Sequence, residues 1–193
     1  MNTMYDLALQ YDTLSAQLAQ QKGISKTNFY RFVKANNYER ITPGLYMKQD
    51  AWIDELAILH HRCPKGLFSH DEAFYYHGLT DREPLTHTLT VYTGYGISRL
   101  VQSGYKIYTV KKELLDIGKI NVENNYGNII PIYDLERSIC DLIRSRNTIE
   151  IQEFSSVLKT YISRKDKNLN KLMDYAKLFK IDNVIRTYME VLL

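Results

Sequence analysis

The sequence predicts an α+β fold in two domains, and two observations carry that prediction. Near the N-terminus, three segments of helical character are followed by two short β-rich segments joined by a Pro-Gly turn. Further along, short segments that alternate between apolar and polar residues are followed by long stretches of helical periodicity. The expected order is therefore a small helical module with a β-hairpin, then a mixed α/β domain with a small sheet and C-terminal helices.

The first module contains three predicted helices. Helical character runs from about Thr3 to Gln10 and from Leu14 to Lys22. Gly23-Ile24-Ser25 is expected to be a turn, since glycine can end one helix and serine can cap the next. The third helix is predicted from Lys26 to Asn36. At about 100° per residue its apolar side chains share one face, which is expected to be buried: Phe29, Phe32 and Val33.

Two short strands follow the third helix, over residues 38–41 and 45–48. Thr42-Pro43-Gly44 joins them, and proline followed by glycine suits the central positions of a type II turn. Helix, helix, tight turn, helix and two-stranded wing is the order of a winged helix-turn-helix. The predicted domains are residues 1–48 for this module and 51–193 for the remainder, with the boundary at Gln49-Asp50.

The second domain is predicted to be organised around residues 68–81. Ser69 and Glu72 have the spacing of a capping box at a helix start, and Gly78 suits the left-handed residue that ends a helix. A preceding helix is expected over 51–62, carrying Trp52. Later strands are expected at 86–93, 105–110, 119–123 and 129–133, with a short helix at 111–117. Asp134 is expected to cap a helix over 135–146, and further helices are predicted over 149–164, 168–179 and 181–192.

Composition excludes several classes of protein. The chain has 193 residues, of which 45% are hydrophobic and 24% charged, with a formal net charge of +3. This is ordinary for a globular protein and compatible with nucleic-acid binding. Cys63 and Cys140 are far apart, which indicates neither a disulfide framework nor a cysteine-rich zinc site. With no apolar run of the roughly 18 residues that a membrane span needs and no signal-peptide pattern, a cytoplasmic location is expected.

The face of the third helix opposite its apolar residues is the predicted DNA-binding surface. Helix-turn-helix proteins place the second helix of the motif in the major groove, where Arg, Lys and Asn can pair with base edges or phosphates. The predicted DNA-binding residues on the helix and the wing are Lys26, Thr27, Asn28, Tyr30, Arg31, Lys34, Arg40 and Thr42. The helix carries no acidic residue, which favours DNA. The alternative is a solvated face of a helical protein–protein module.

No metal site, cofactor or catalytic residue is predicted. His60, His61, Cys63, His70 and His77 crowd one window, but their spacing gives no HxxxH pair, so packing or surface roles are expected. Ser69 and His70 could act as a nucleophile and its base, but the expected N-cap role is sufficient to explain the serine at position 69.

A second group of polar residues surrounds the predicted helix over 135–146. Cys140 is expected to be a small buried hydrophobe. The carboxylates of Asp134, Glu136 and Asp141 could hold Mg²⁺, but a cap at Asp134 and surface or inter-helix ion pairs with Arg137 and Arg144 are the preferred interpretation. The lysines of the C-terminal helices are expected either to neutralise phosphates or to form a solvated face.

Four ordered blocks of this sequence carry a resemblance to a known family. They are residues 38–46 (YERITPGLY), 68–81 (FSHDEA through HGLTD), 89–91 (LTV) and 133–144 (YDLERSICDLIR). With them the chain resembles, nearly end to end, the AbiEi-like antitoxins of bacterial type IV toxin–antitoxin systems, which act in abortive phage infection. Four blocks in this order are more specific than the winged-helix pattern alone.

The resemblance implies a DNA-binding antitoxin that autoregulates its operon. The N-terminal domain would repress transcription by binding inverted repeats in the promoter, with two copies per operator. The C-terminal domain would counteract a nucleotidyltransferase-type toxin without forming a stable complex with it. Two alternatives remain open: the large domain binds the toxin directly, or it modifies the toxin or a nucleotide using Asp134, Glu136 or Asp141.

Overall fold

The computed structural model describes residues 4–192 and shows an α+β protein with ten α-helices and two small sheets. The start of the first predicted helix, at Thr3, lies outside the described residues. The chain forms two compact units. The first runs through Pro64 and includes residues 122–130; the second comprises residues 65–121 and the chain from Pro131 onward. Residues 51–64, which the sequence pattern assigns to the second domain, group with the first unit.

The first unit combines four helices with a three-stranded antiparallel sheet. In chain order its elements are α1 (Met4–Gln10), β1 (Thr13–Ser15), α2 (Ala16–Gln21), α3 (Lys26–Ala35), β2 (Tyr38–Thr42), β3 (Leu45–Lys48) and α4 (Glu55–Arg62). The strand order is β1-β3-β2. Strand β1 corrects the prediction of a helix from Leu14: Leu14 pairs with Tyr46, and α2 starts only after Ser15, whose hydroxyl caps it.

The core of the first unit forms where α3 packs against its neighbours. Phe29, Phe32 and Val33 are buried, as the helical periodicity predicts. They belong to one cluster with Leu14 of β1 and Tyr38 of β2, among others. Burying three large apolar side chains of one helix supplies on the order of 1.5–3 kcal/mol each, so this face of α3 is fixed against the unit.

Helix α4 begins later than predicted because Asp54 sets its start. The Asp54 carboxylate accepts from the Ala57 backbone N–H at 2.9 Å. Its other oxygen accepts from the side-chain amides of Asn124 and Asn128, both at 2.7 Å. Trp52, predicted on the helix, precedes it and is 83% exposed. The three hydrogen bonds of this buried carboxylate fix the start of α4 more strongly than the apolar residues before it do.

The second unit contains most of a five-stranded mixed sheet. Its strands are β4 (Leu67–Phe68), β5 (Thr88–Tyr92), β6 (Lys106–Val110), β7 (Lys119–Glu123) and β8 (Ile129–Tyr133), in the order β6-β5-β4-β8-β7. Strand β4 is antiparallel to β5 and parallel to β8, while β5 and β6 are parallel. The short elements α5 (Asp71–Tyr76), α6 (Ser98–Gln102) and a 3₁₀ turn (Lys112–Leu114) connect the strands.

Four longer helices complete the second unit: α7 (Leu135–Arg144), α8 (Ile151–Ser163), α9 (Leu169–Phe179) and α10 (Asp182–Leu192). Helix α7 is buried on nearly every side, including Glu136, Arg137 and Asp141. Of the predicted surface or inter-helix ion pairs, the surface placement is wrong and the inter-helix pairing is confirmed: Glu136 pairs with Lys171 of α9 at 3.5 Å. Its apolar residues join those of α8, α9 and α10 in one core cluster. Among residues 4–192, none of the helices combines the length and apolar content that crossing a membrane requires.

Candidate functional site

The exposed face of α3 lies opposite its buried side. Ser25 starts the helix, its hydroxyl accepting from the Asn28 backbone N–H at 3.3 Å, and Gly23 takes a φ of +82° in the turn before it. These contacts confirm the predicted turn and cap. All six helix residues of the predicted DNA-binding surface are exposed: Lys26, Thr27, Asn28, Tyr30, Arg31 and Lys34.

Three of these side chains make contacts that hold them in place: Asn28, Arg31 and Tyr30. The Arg31 guanidinium donates to the Asn28 amide oxygen at 3.1 Å. Tyr30 packs edge-on against Phe29 and Tyr46, with ring centroids 5.4 and 6.1 Å apart. Asn28 and Arg31 are exposed, and Tyr30 remains 44% exposed despite its ring contacts.

The β2–β3 hairpin is held by α4. Gly44 has a φ of +80°, as the type II turn requires, and Thr42 is half-buried while Arg40 is exposed. The His61 Nε2–H donates to the Pro43 carbonyl at 3.0 Å, which fixes the imidazole tautomer because a carbonyl only accepts. This contact is not predictable from the sequence, since nothing local links residue 61 to residue 43.

Residues 1–48 carry a net positive charge. The stretch has six lysines and arginines against three acidic residues. One of the acids, Asp12, pairs with Lys48 at 3.4 Å. With no carboxylate on α3 itself, the positive side chains of this helix are not neutralised from within the helix.

Ser69 does not cap α5, which overturns the predicted capping box. The residue at the N-cap is His70, with φ +52° and ψ −120°, and it makes no side-chain cap bond. The Ser69 hydroxyl instead accepts from the Thr90 hydroxyl at 2.8 Å and meets His70 Nδ1 at 3.1 Å. The Glu72 N–H donates to the Thr88 hydroxyl at 3.3 Å, and its carboxylate pairs with His87. Strand β5 supplies these partners, so tertiary contacts replace the local cap. Gly78 does end the helix, at φ +63°, as predicted.

His70 is a buried, neutral imidazole. Its ring stacks on Tyr108 with centroids 3.4 Å apart, and Nε2 lies 2.9 Å from the Ser145 hydroxyl. Burial lowers the pKa of His70 from 6.5 to about 4, with Asp141 acting in the opposite direction and neighbouring cations reinforcing the shift. A non-glycine residue at the φ of His70, +52°, costs on the order of 1–3 kcal/mol. The contacts of the side chain must therefore hold His70 in this conformation.

We expect this histidine to make stability fall in mild acid. The pKa of His70 is 6.5 in the unfolded chain and about 4 in the folded chain. The contribution of the neutral imidazole to stability is therefore complete above pH 6.5, and it is lost as the pH falls from about 6.5 to about 4. The expected loss between pH 7 and pH 5 is about 2 kcal/mol. Urea unfolding at the two pH values measures it, and the His70→Asn variant should lose correspondingly less on acidification. An identical pH dependence in both proteins would contradict the prediction.

His77 and Cys140 both lie against neighbouring protein groups. His77 Nε2 donates to the Tyr133 carbonyl at 2.7 Å, and burial lowers the pKa of His77. Burial likewise raises the pKa of the Cys140 thiol, which confirms it as a small buried hydrophobe. Over residues 4–192, no group of three or more His, Cys, Asp or Glu side chains is arranged to hold a metal ion.

The three carboxylates of α7 are occupied by protein groups. Asp134 caps the helix at 2.8 Å from the Arg137 N–H, as predicted, and also accepts from the Tyr175 hydroxyl at 3.0 Å. Glu136 accepts from the Asn168 N–H at 3.0 Å, and Asp141 lies between two arginines. These contacts account for the three carboxylates as structural groups.

The chain matches no protein-family model, and no curated protein matches it with significance.

Proposed function

We propose that the first unit is a winged helix-turn-helix that binds double-stranded DNA. The observation that carries the proposal is the exposed face of α3, which presents Lys26, Arg31 and Lys34 without a carboxylate while the opposite face is buried. The element order supports it: α2 and α3 flank a tight turn, and a hairpin follows. In such a module α3 enters the major groove, and Arg40 with Thr42 meets the flanking backbone.

The side chains of α3 divide into two roles. Asn28, held by Arg31 near the start of the helix, is placed to pair with a base edge, and Arg31 keeps further donors for guanine or phosphate. Lys26 and Lys34 supply phosphate contacts, which set affinity without reading sequence. One helix reads one half-site, so an inverted repeat takes two copies of the chain.

We further propose that the DNA bound is the promoter of the protein's own operon, and that the protein is a cytoplasmic antitoxin. This part rests on the four sequence blocks that resemble AbiEi-like antitoxins. The second unit would then counteract a nucleotidyltransferase-type toxin indirectly. A nucleotidyltransferase reading frame beside the gene, whose toxicity is relieved by this chain without co-purification, is the expected result. Stable co-purification would favour direct binding instead.

The Arg31→Ala/Lys34→Ala variant tests the DNA-binding proposal. We expect its affinity for the promoter fragment to fall at least about tenfold, because two charged contacts to the duplex are lost. The slope of log K against log salt should decrease by about one if Arg31 pairs with guanine and by about two if it contacts phosphate, since each phosphate contact contributes about 0.9. Fluorescence anisotropy at several salt concentrations measures both quantities.

A matched control distinguishes the loss of charge on α3 from an equal loss of charge elsewhere on the chain. Lys159 and Lys177 are exposed on α8 and α9 of the second unit, and the Lys159→Ala/Lys177→Ala variant removes the same charge. It should bind the promoter as the unaltered protein does. Equal affinities for the two double variants would exclude α3 as the DNA-binding surface. Asn28→Ala adds a specificity test, because losing a base contact reduces discrimination between promoter and random DNA.

A further inference from the structure

Two adjoining cavities open beside α7 in the second unit. One, of about 250 Å³, is lined by residues of β5, β6 and the α7 C-terminus; the other, of about 320 Å³, lies between β6 and the end of α9. They share Thr109, Val110 and Arg144, and we refer to the two together as the basic cleft. Each approaches the size of a small-ligand pocket.

The charged residues that line the basic cleft are all cationic. Arg144 and Arg146 line the first cavity, and Lys111, Lys180 and again Arg144 line the second. The described residues contribute no carboxylate to either lining. Asp141 lies behind Arg144 at 2.8 Å, but its second oxygen is taken by Arg137 at 3.1 Å. Arg144 is therefore positioned by a buried carboxylate and still contributes to the wall of the cleft.

Hydrogen bonds link the first cavity to the buried residues behind it. Thr90 donates to the Ser69 hydroxyl at 2.8 Å, and the two ring nitrogens of His70 lie 3.1 Å from the Ser69 hydroxyl and 2.9 Å from the Ser145 hydroxyl. Ser145 lines the cavity, so its hydroxyl lies between His70 and the space that a ligand would occupy.

The wall of the cleft also has an apolar side. Leu178 and Phe179, at the end of α9, line the second cavity, and Ile181 lines the first. The Arg144 guanidinium lies over the Phe179 ring, 4.8 Å from its centroid, so a cation sits beside the apolar side of the cleft. Cations and a hydroxyl group beside an apolar surface suit a ligand that carries an anionic group attached to a flat apolar ring.

We propose that the basic cleft binds a small phosphate-bearing molecule, with its phosphate held by Arg144, Arg146 and Ser145. Guanidinium groups bind phosphate oxygens in pairs of parallel hydrogen bonds, and lysines add charge without fixed geometry. Lys111 and Lys180 would meet a further phosphate, and the apolar side would accept a nucleoside. This site belongs to the second unit and is independent of the proposed DNA-binding surface.

Isothermal titration of the full chain with inorganic phosphate, pyrophosphate, ATP and GTP tests the proposal. We expect saturable binding that weakens with salt, tightest for the probe whose phosphates and attached group both fit. Binding by pyrophosphate as tight as by the nucleotides would identify the phosphate groups as the whole determinant. Tighter binding of a nucleotide would assign the apolar side to the base. Absence of saturable binding for all four probes at millimolar concentration would overturn the proposal.

Paired variants locate the binding site. Lys111→Gln/Lys180→Gln removes two exposed charges from the cleft, and we expect at least about tenfold weaker binding of the tightest probe. Lys159→Gln/Lys177→Gln, with the same charge change outside the cleft, should leave binding unaltered. Equal affinities of the two double variants would place the ligand elsewhere and overturn the assignment. The Ser145→Ala variant removes the Ser145 hydroxyl without changing the charge of the cleft, and we expect a smaller loss of affinity.

Discussion

Replacing Arg137 by alanine is expected to lower the free energy of unfolding of the second unit by about 3 to 5 kcal/mol. The side chain is completely buried in α7. Its Nε donates to Asp141 at 3.1 Å, and one terminal nitrogen donates to the carbonyls of Leu114 and Ile117 at 2.9 and 2.7 Å. Truncation leaves two carbonyls and one carboxylate oxygen without these donors.

Packing around the Arg137 guanidinium adds to the expected cost. The group lies between two aromatic rings, 3.9 Å from the Tyr133 centroid and 4.2 Å from that of Phe179. A planar cation between two ring faces gains from both, and its removal opens a cavity between β8 and α9. The effect is therefore expected to be much larger than that of removing an exposed arginine.

Chemical denaturation of the full chain, with a signal from the second unit, measures this change. Arg137→Lys should recover little of the loss, because an ammonium cannot serve a carboxylate and two carbonyls in the plane of the lost fork. Arg99→Ala, at an exposed position on α6, should change stability by less than about 0.5 kcal/mol. If Arg137→Ala resembles Arg99→Ala, the buried network does not hold the unit together.

The elements that the sequence predicts well are those fixed by neighbouring residues. The sequence predicts helix α3 over Lys26 to Asn36, and the helix runs to Ala35 with its cap at Ser25 and its buried face as expected. The β7–β8 hairpin and the Asp134 cap are also local patterns, and both agree with the structure. In each case the turn residue, the cap and the periodicity lie within one short segment.

The elements that the sequence predicts badly depend on distant partners. Strand β1 is three residues long and exists because β3 pairs with it. The capping box at Ser69 fails because strand β5 offers Thr88 and Thr90 as better partners. Arg137 looks like a surface residue on a polar stretch of sequence, and only the carbonyls of the preceding 3₁₀ region and the rings around it make burial tolerable.

The two candidate sites differ in the same way. The α3 face could be read from the sequence, since helical periodicity alone separates its exposed from its buried residues. The basic cleft could not, because His70 and Ser145 are 75 positions apart and meet only in the folded unit. The crowding of Ser, His, Asp and Glu at residues 69–72 is visible in the sequence, but the contacts of Ser69 with Thr90 and of His70 with Ser145 are not.

The Gly118→Ala substitution is expected to be nearly as damaging as the loss of Arg137, although it adds only a methyl group. Gly118 has a φ of +76°, and a Cβ there would lie 2.5 Å from the Arg137 Cβ and 3.3 Å from an Asp134 carboxylate oxygen. The first contact is with the root of a side chain that is pinned by its own hydrogen bonds. The methyl group can therefore be accommodated only by shifting β7 away from α7.

Gly94→Ala separates steric overlap from backbone strain in the same unit. Gly94 has a φ of +95°, but a Cβ there would have no heavy atom within 4 Å. It should cost only the conformational penalty of about 1–2 kcal/mol. Gly118→Ala adds overpacking of about 1–3 kcal/mol to that penalty. Equal midpoints for the two variants in urea unfolding would show that the space between Gly118 and Arg137 is not tight. We expect the urea midpoint of Gly118→Ala to lie well below that of Gly94→Ala. The reason is that α7 lies close to Gly118, and this close approach allows Arg137 to reach the carbonyls of Leu114 and Ile117.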